Sequence, residues 1–325
     1  MKLLYQKKTI LFVLLAGAVG SIFNNFRFMQ LLQALTSMHD DYSEITLDHV
    51  TTTAKNKDVE PYNKTKYRYL PPSQEEESWS VSYATDECGS SSQYEAFFNQ
   101  TYKSRSRLNE DKIIFNTFFN QTSVKDGTFV EMGAYDGKQE SNSRFYETCL
   151  GWTGLLIEGS RGNYKKVIKN RPRAHRMSFA PTCAFDNETI QFHGIPMLNA
   201  GLVGHAKTYD PKDGMPFGPH TYDVPCGPLT PVLLDLFPAG HINFFSLDVE
   251  GSEYLVLEKA LDLNAVQIDV MMIEVQNDHC KNYVVCENRI KIRQHMNASG
   301  YTRYEGLVHA SDVYVHPQSQ YQVRS

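Results

Sequence analysis

The sequence predicts an α/β protein with a mainly parallel sheet and helices on both faces. Apolar strand-like segments alternate with amphipathic helical segments after Asn109, as a parallel sheet requires. Two of the strands end in a glutamate, Glu131 and Glu158, and a glycine follows each within two residues. Hydrophobic residues make up 41% of the chain and charged residues 21%, which is typical of a protein with a substantial core.

Each element is predicted from its own pattern. Ile113, Ile114, Phe115, Phe118 and Phe119 share one face of a helix that leads into the core. Short apolar runs predict the strands, and a 3.6-residue period predicts the other helices. In chain order these are strand 128–132, helix 142–149, strand 154–158, helix 164–169, strand 242–247, helix 253–261, strand 266–275, helix 287–298, and strands 301–305 and 313–316.

The net charge excludes one class of function. The formal net charge of −5 lacks the basic bias of a dedicated nucleic-acid-binding protein. We therefore expect no nucleic-acid partner.

The first residues predict a membrane anchor. Lys2, Lys7 and Lys8 precede an uncharged run, and apolar residues continue to Leu32. We expect a cytoplasmic tail at 1–8, a signal anchor at 9–32 and a lumenal domain in the Golgi or endoplasmic reticulum. A cleaved signal peptide, which would lead to secretion, and a buried helix stay open, because the uncharged run is shorter than the roughly 20 residues of a membrane span.

Sequons and cysteines agree with a lumenal location. Glycosylation sequons occur at Asn63, Asn99, Asn120, Asn187 and Asn297. The six cysteines include no CxxC pair and no zinc-like Cys/His spacing, so we predict disulfides and no metal site. Cys280 and Cys286 bracket a short loop and are the first candidate pair. Buried free thiols in a reducing compartment are the alternative.

A flexible stem is predicted to precede the domain. Residues 33–107 lose hydrophobic periodicity and are rich in polar residues and proline, so they bury too little apolar surface to fold. The position at which the stem ends stays open, because Tyr94, Phe97 and Phe98 fit a helix that packs on the domain. We expect the domain at 108–317 and a tail at 318–325.

Two motifs predict a nucleoside-binding site. VEMGAYDG at 130–137 is an apolar strand that ends in an acid and enters a glycine-bearing turn, where a ligand can approach the backbone closely. The turn lacks the GxGxxG spacing of a dinucleotide site. LLIEGS at 155–160 is a second such strand, and an acid at this place typically binds ribose hydroxyls.

A third motif carries a family resemblance. FFSLDVEGSEYLVL at 244–257 resembles the signature of FkbM-type methyltransferases, which bind S-adenosylmethionine on a Rossmann-like sheet. VEMGAYDG is similar to that family's first motif, LLIEGS to its ribose-binding strand and MIEV at 272–275 to its fifth strand. The resemblance covers about 109–316. It implies a Rossmann-like class I methyltransferase sheet with S-adenosylmethionine as cofactor.

The resemblance implies a role for each matching residue. Glu158 would hold the ribose, and Cys183-Ala184, a loose match, would end the adenine-contacting third strand. The methionine part and the turn would involve Glu131, Gly133, Ala134, Asp136 and Gly137. This chain has Glu131 and Tyr135 where the family commonly has Asp and Asn, which puts its donor affinity in doubt.

The acceptor side is less well defined. Asp248 and Glu250 would form the floor of the acceptor pocket, and with His279 they are the candidate bases for deprotonating a hydroxyl. Helix capping by the two acids and a surface position for His279 are the structural alternatives. The stretch 199–228 is rich in Gly, Pro, His and Tyr, and we expect it to form a lid. Its candidate contacts are His205, Tyr209 and His220.

Two functions follow from these expectations. The first is an S-adenosylmethionine-dependent O-methyltransferase of the secretory pathway that acts on a glycan or another hydroxyl acceptor. The second is a non-catalytic role in exporting cargo proteins, because Star-type membrane proteins are similar to this chain in layout. Glu131, Gly133 and Glu158 are all present, which favours the enzyme.

Overall fold

The computed structural model describes residues 62–73, 88, 91–120, 126–185, 188–193, 201–202, 221–275 and 283–321. These residues belong to one compact unit. The predicted cytoplasmic tail, the predicted anchor and the start of the predicted stem lie outside the described residues. Among those that are described, no helix combines the length and the apolar character needed to cross a membrane.

The described residues form short helices and strands in alternation. The helices are α1 (Ser91–Phe98), α2 (Glu110–Ile114), α3 (Arg144–Leu150), α4 (Arg161–Asn170), α5 (Thr230–Leu236), α6 (Glu253–Leu255) and α7 (Tyr283–Ala298). A π-helix follows α2 at Phe115–Phe119 and α6 at Val256–Ala260. The strands are β1 (Thr128–Met132), β2 (Thr153–Ile157), β3 (His175–Met177), β4 (Glu188–His193), β5 (Gly201–Leu202), β6 (Thr221–Cys226), β7 (His241–Leu247), β8 (Gln267–Glu274), β9 (Thr302–Val308) and β10 (Ser311–Val315).

Seven of these strands form the central sheet, in the order β3-β2-β1-β7-β8-β10-β9. The first five are parallel, and β10 is antiparallel to both of its neighbours. The predicted mixed α/β architecture with a mostly parallel sheet is therefore confirmed. A smaller antiparallel sheet, with the order β5-β4-β6, was not predicted.

The core lies on both faces of the central sheet because successive side chains of a strand point in opposite directions. Val130 faces one apolar cluster, which includes Val232 of α5 and Ile292 of α7. Phe129 faces the other, which includes Phe145 of α3 and Val167 of α4. Helices thus cover both faces, as predicted.

Residues of the predicted stem that the structure describes pack against the domain. Tyr62 and Tyr67 are fully buried in the core, and the Tyr67 ring stacks on Phe179 with the centroids 4.2 Å apart. Leu70 pairs with Arg176 beside β3. Aromatic residues scattered in a polar stretch supply these contacts, so average composition hid them.

Two disulfides join described cysteines, Cys88 to Cys149 and Cys183 to Cys226. The first ties the segment before α1 to α3, and the second ties the segment after β3 to β6. The prediction of disulfides is confirmed for these four cysteines. Cys280 lies outside the described residues, so its pairing with Cys286 stays a prediction.

Candidate functional site

A cleft opens at the carboxyl ends of β1, β2 and β7, the edge at which open α/β sheets bind ligands. Its empty volume, including the open mouth, is about 970 Å³. The turns after the three strands form its floor.

The turn after β1 is held against β2. The backbone N–H groups of Gly133 and Ala134 both donate to the carbonyl of Ile157, each at 3.1 Å. Gly133 has a φ of 80°, a left-handed conformation that favours glycine. Ala134 and Tyr135 follow it along the cleft wall. The structure therefore places Gly133 and Ala134 at the cleft.

Glu131 lines the cleft, but its carboxylate is occupied by the chain itself. Oε2 accepts hydrogen bonds from the hydroxyls of Ser141 at 2.8 Å and Ser143 at 2.5 Å, and Oε1 accepts one from the N–H of Asn142 at 2.8 Å. Glu131 is only 3% exposed. Through these hydrogen bonds, Glu131 holds the loop between β1 and α3 in place.

Arg171, which the sequence did not predict, supports the same loop. It is fully buried at the end of α4, and its Nη1 lies 3.7 Å from Glu131 Oε2. Its other contacts are Glu147 Oε2 (3.0 Å), Ser141 Oγ (3.0 Å), Ser143 Oγ (3.1 Å) and the Gly137 carbonyl (3.2 Å). An arginine at a helix end gives no sequence signal that distinguishes it from a surface residue.

Glu158 lies at the end of β2 and bridges two turns. Its Oε2 accepts the Tyr135 N–H at 2.8 Å, and its Oε1 accepts the Ser160 N–H at 2.7 Å. Burial raises the pKa of Glu158 to about 7, although those two hydrogen bonds and the charge of Lys166 oppose the rise. Glu158 lines the cleft, and its binding of a ribose stays a prediction.

Four other predicted cofactor-binding residues do not line the described cleft. Asp136 caps its own turn, where Oδ1 accepts the N–H groups of Lys138 and Gln139 at 2.8 and 2.7 Å. Gly137 packs on Arg171, and a Cβ there would lie 2.8 Å from Arg171 Cγ.

The predicted adenine-contacting residues, Cys183 and Ala184, are not among the described residues that line the cleft. Because β3 ends at Met177, Cys183 and Ala184 lie beyond the strand end. Cys183 is in a disulfide and Ala184 is exposed. Phe179, Ala180, Pro181 and Thr182 line the cleft in their place.

The turn after β7 brings the predicted catalytic acids to the opposite side of the cleft. Asp248 and Glu250 both line it, and Glu250 has a φ of 58°. Glu253 holds the turn, because its Oε1 accepts the N–H groups of Val249 and Gly251 at 3.0 and 3.1 Å. One carboxylate oxygen each from Asp248, Glu253 and Glu274 lies within 4.8 Å of the others. The sequence did not predict this acidic cluster.

The small sheet forms another wall. Phe192 of β4 and Leu202 of β5 line the cleft, and Gly159 makes room for Phe192, whose ring would lie 2.6 Å from a Cβ at 159. The described ends of the predicted lid are thus strands β5 and β6. The candidate contacts His205, Tyr209 and His220 and the candidate base His279 lie outside the described residues.

Among the residues that the structure describes, the charged ones that line the cleft are all acidic: Glu131, Glu140, Glu158, Asp248 and Glu250. Such a lining favours a ligand that brings positive charge or hydrogen-bond donors.

Comparison with known proteins gives one family. A family model described as the methyltransferase FkbM domain matches residues 131–302, from Glu131 at the cleft to the start of β9. No curated protein matches the sequence.

Proposed function

Because this chain belongs to the FkbM methyltransferase family, we propose that it is an S-adenosylmethionine-dependent O-methyltransferase of the secretory pathway. The acceptor is a glycan or another molecule with a free hydroxyl. The observation that carries the proposal is the cleft at the carboxyl ends of β1, β2 and β7, which joins Gly133, Glu158 and Asp248 in one site.

The cleft residues fit this donor. S-adenosylmethionine has a net positive charge from its sulfonium and ammonium groups, and the described lining of the cleft is acidic. Its ribose presents two hydroxyls, and Glu158 at the end of β2 is the acceptor for them. Gly133 and Ala134 would hold the methionine part. The bound donor would supply an activated methyl group.

On the acceptor side, the chain must orient a hydroxyl and remove its proton as the new bond forms. Much of the rate can come from this positioning. Asp248 and Glu250 line the cleft, so we assign the proton to one of their carboxylates. Glu253 fixes the turn that carries both acids.

Calorimetry on the full chain tests the donor site. A fragment that starts after residue 73 would lose Tyr62 and Tyr67 from the core. We expect micromolar binding of S-adenosylmethionine and S-adenosylhomocysteine, lost in Glu158→Gln and kept in Glu95→Gln, a change of an exposed glutamate on α1. No binding by a folded wild-type chain would contradict the proposal and leave cargo export as the better account.

The proposed compartment has its own support. Each described sequon asparagine, Asn63, Asn99, Asn120 and Asn297, is exposed. The two disulfides fit an oxidising lumen. We expect glycosidase treatment of the protein expressed in eukaryotic cells to increase its electrophoretic mobility. An unchanged mobility would contradict the lumenal location.

A further inference from the structure

Asn163 has a buried amide oxygen beside the cleft. Asn163 is one of the residues that line the cleft, yet it is only 2% exposed. Within the described part of the chain, its Oδ1 has no hydrogen-bond partner. Native proteins leave few buried polar atoms in this condition, because the lost hydration is not replaced. A bound ligand that donates a hydrogen bond would satisfy it.

The start of α4 places Asn163 close in the fold to Glu158. Ser160 precedes the helix and donates its N–H to Glu158 Oε1 at 2.7 Å. The next turn closes when Tyr164 N–H donates to the Ser160 carbonyl at 2.8 Å. Asn163 lies within that turn, and both it and Glu158 line the same cleft.

The two side chains have complementary capacity for a ligand with two donors. Each oxygen of Glu158 already accepts one backbone N–H, and a carboxylate oxygen can accept a second hydrogen bond. The amide oxygen of Asn163 is also an acceptor. Neighbouring hydroxyls on one ring are the donor groups that match two adjacent acceptors.

We propose that Asn163 is a specificity-determining residue of the donor site, whose Oδ1 accepts a hydrogen bond from one ribose hydroxyl while Glu158 accepts from the other. The proposal rests on the proposed function, since it requires a nucleoside in the cleft. It adds a residue that none of the sequence motifs indicated.

Ligands that lack single donor groups test the proposal. Adenosine, 2′-deoxyadenosine, 3′-deoxyadenosine and purine riboside, which lacks the 6-amino group, are titrated into the full chain by calorimetry. The wild type should bind adenosine about tenfold or more tightly than one of the two deoxynucleosides. Asn163→Leu, similar in size but apolar, should bind adenosine only as weakly as that deoxynucleoside. Asn163→Asp keeps an acceptor and should keep the discrimination.

Stability separates this role from a structural one. Asn163→Leu removes a costly buried polar atom, so the melting temperature of the unliganded protein should rise while nucleoside affinity falls. Asn116→Leu, at an exposed asparagine after α2, should change neither the discrimination nor the affinity.

Three outcomes would overturn the inference. In the first, Asn163→Leu keeps the wild-type ratio between adenosine and both deoxynucleosides. In the second, purine riboside binds more weakly than adenosine while both deoxynucleosides bind as tightly as adenosine, so the base amino group is the partner of Asn163. In the third, Asn163→Asp loses binding as Asn163→Leu does. Failure of the wild type to bind either adenosine or S-adenosylmethionine would instead contradict the proposed function itself.

Discussion

Gly133 lies directly against the carbonyl oxygen of Asp248, so closely that a Cβ at residue 133 would be 1.7 Å from that oxygen. The backbone N–H of Asp248 donates to the carbonyl of Met132 at 3.1 Å, which closes the contact from the other side. The turn after β1 and the turn after β7 therefore share one backbone contact. The donor side and the acceptor side of the cleft cannot move apart independently.

Gly133→Ala should separate these two turns. The Cβ has no space, and the φ of 80° is strained for alanine, so we expect a loss of several kcal/mol in the free energy of unfolding. Donor binding should be lost with it. Gly306→Ala is the matched control, because Gly306 has a φ of 68° and a Cβ added there would meet no atom within 4 Å, so only roughly 1–2 kcal/mol of backbone strain applies. Similar unfolding curves for the two variants in urea would contradict this reasoning.

The central sheet could be predicted because its strands are continuous apolar runs. Strand 128–132 has the bounds predicted for it, and β7 begins one residue before the prediction. The ends of β1, β2 and β7 could also be predicted from the sequence, since an acid and a glycine mark each of them. Glu131, Gly133, Glu158, Asp248 and Glu250 therefore all reach the cleft, as the motifs indicated.

The remaining parts depend on contacts that sequence spacing does not encode. Strand β3 has three residues, too few for a periodic signal, so its end at Met177 could not be predicted. The partners of a disulfide cannot be deduced from cysteine positions. Arg171 and Asn163 are polar residues on a helix, and only the folded structure reveals that both are buried.

Donor affinity should increase as the pH rises through about 7. Glu158 has a pKa of about 7, and its ionised form accepts hydroxyl donors better and attracts a cationic donor. Its ionised fraction increases from roughly one tenth at pH 6 to nine tenths at pH 8, so affinity should improve about tenfold. Calorimetry on the wild type at pH 6 and pH 8 measures this. An affinity that stays the same at the two pH values would contradict the prediction.

The same pKa predicts an effect on stability with a defined sign. The pKa of Glu158 is raised from 4.5 to about 7, so the folded state holds a proton that the unfolded state releases between these values. Stability of the wild type relative to Glu158→Gln should therefore fall as the pH rises from 4.5 to 7, by up to roughly 3 kcal/mol, and stay constant above that. Urea unfolding of both proteins across this range gives the difference. A difference that does not change with pH would contradict the prediction.

The Cys183–Cys226 disulfide should matter to the cleft as well as to the fold. It closes a loop with a sequence separation of 43, and replacing both cysteines by serine should cost roughly 3–4 kcal/mol. Donor affinity should also fall several-fold, because Thr182 and its neighbours form a cleft wall beside this bond.

Removal of Cys88–Cys149 is the control for that disulfide. Its sequence separation is 61, so the loss of stability should be similar, but no chain neighbour of Cys149 lines the cleft as Thr182 does beside Cys183. Donor affinity of the folded protein should stay unchanged. Equal losses of donor affinity in the two double variants would show that Cys183–Cys226 has no local role at the cleft.

Arg171→Met should be among the most destabilising single changes in the domain. It leaves the carboxylates of Glu131 and Glu147 buried beside an apolar side chain, and breaking a buried ion pair costs about 3–5 kcal/mol. Adding Glu147→Gln should recover part of this loss, since it removes one of the two stranded charges. Arg161→Met, at the exposed start of the same helix, should cost far less. Urea unfolding of the wild type, the three single variants and the double variant tests the network. Additive losses for Arg171→Met and Glu147→Gln would mean that the two side chains are not coupled.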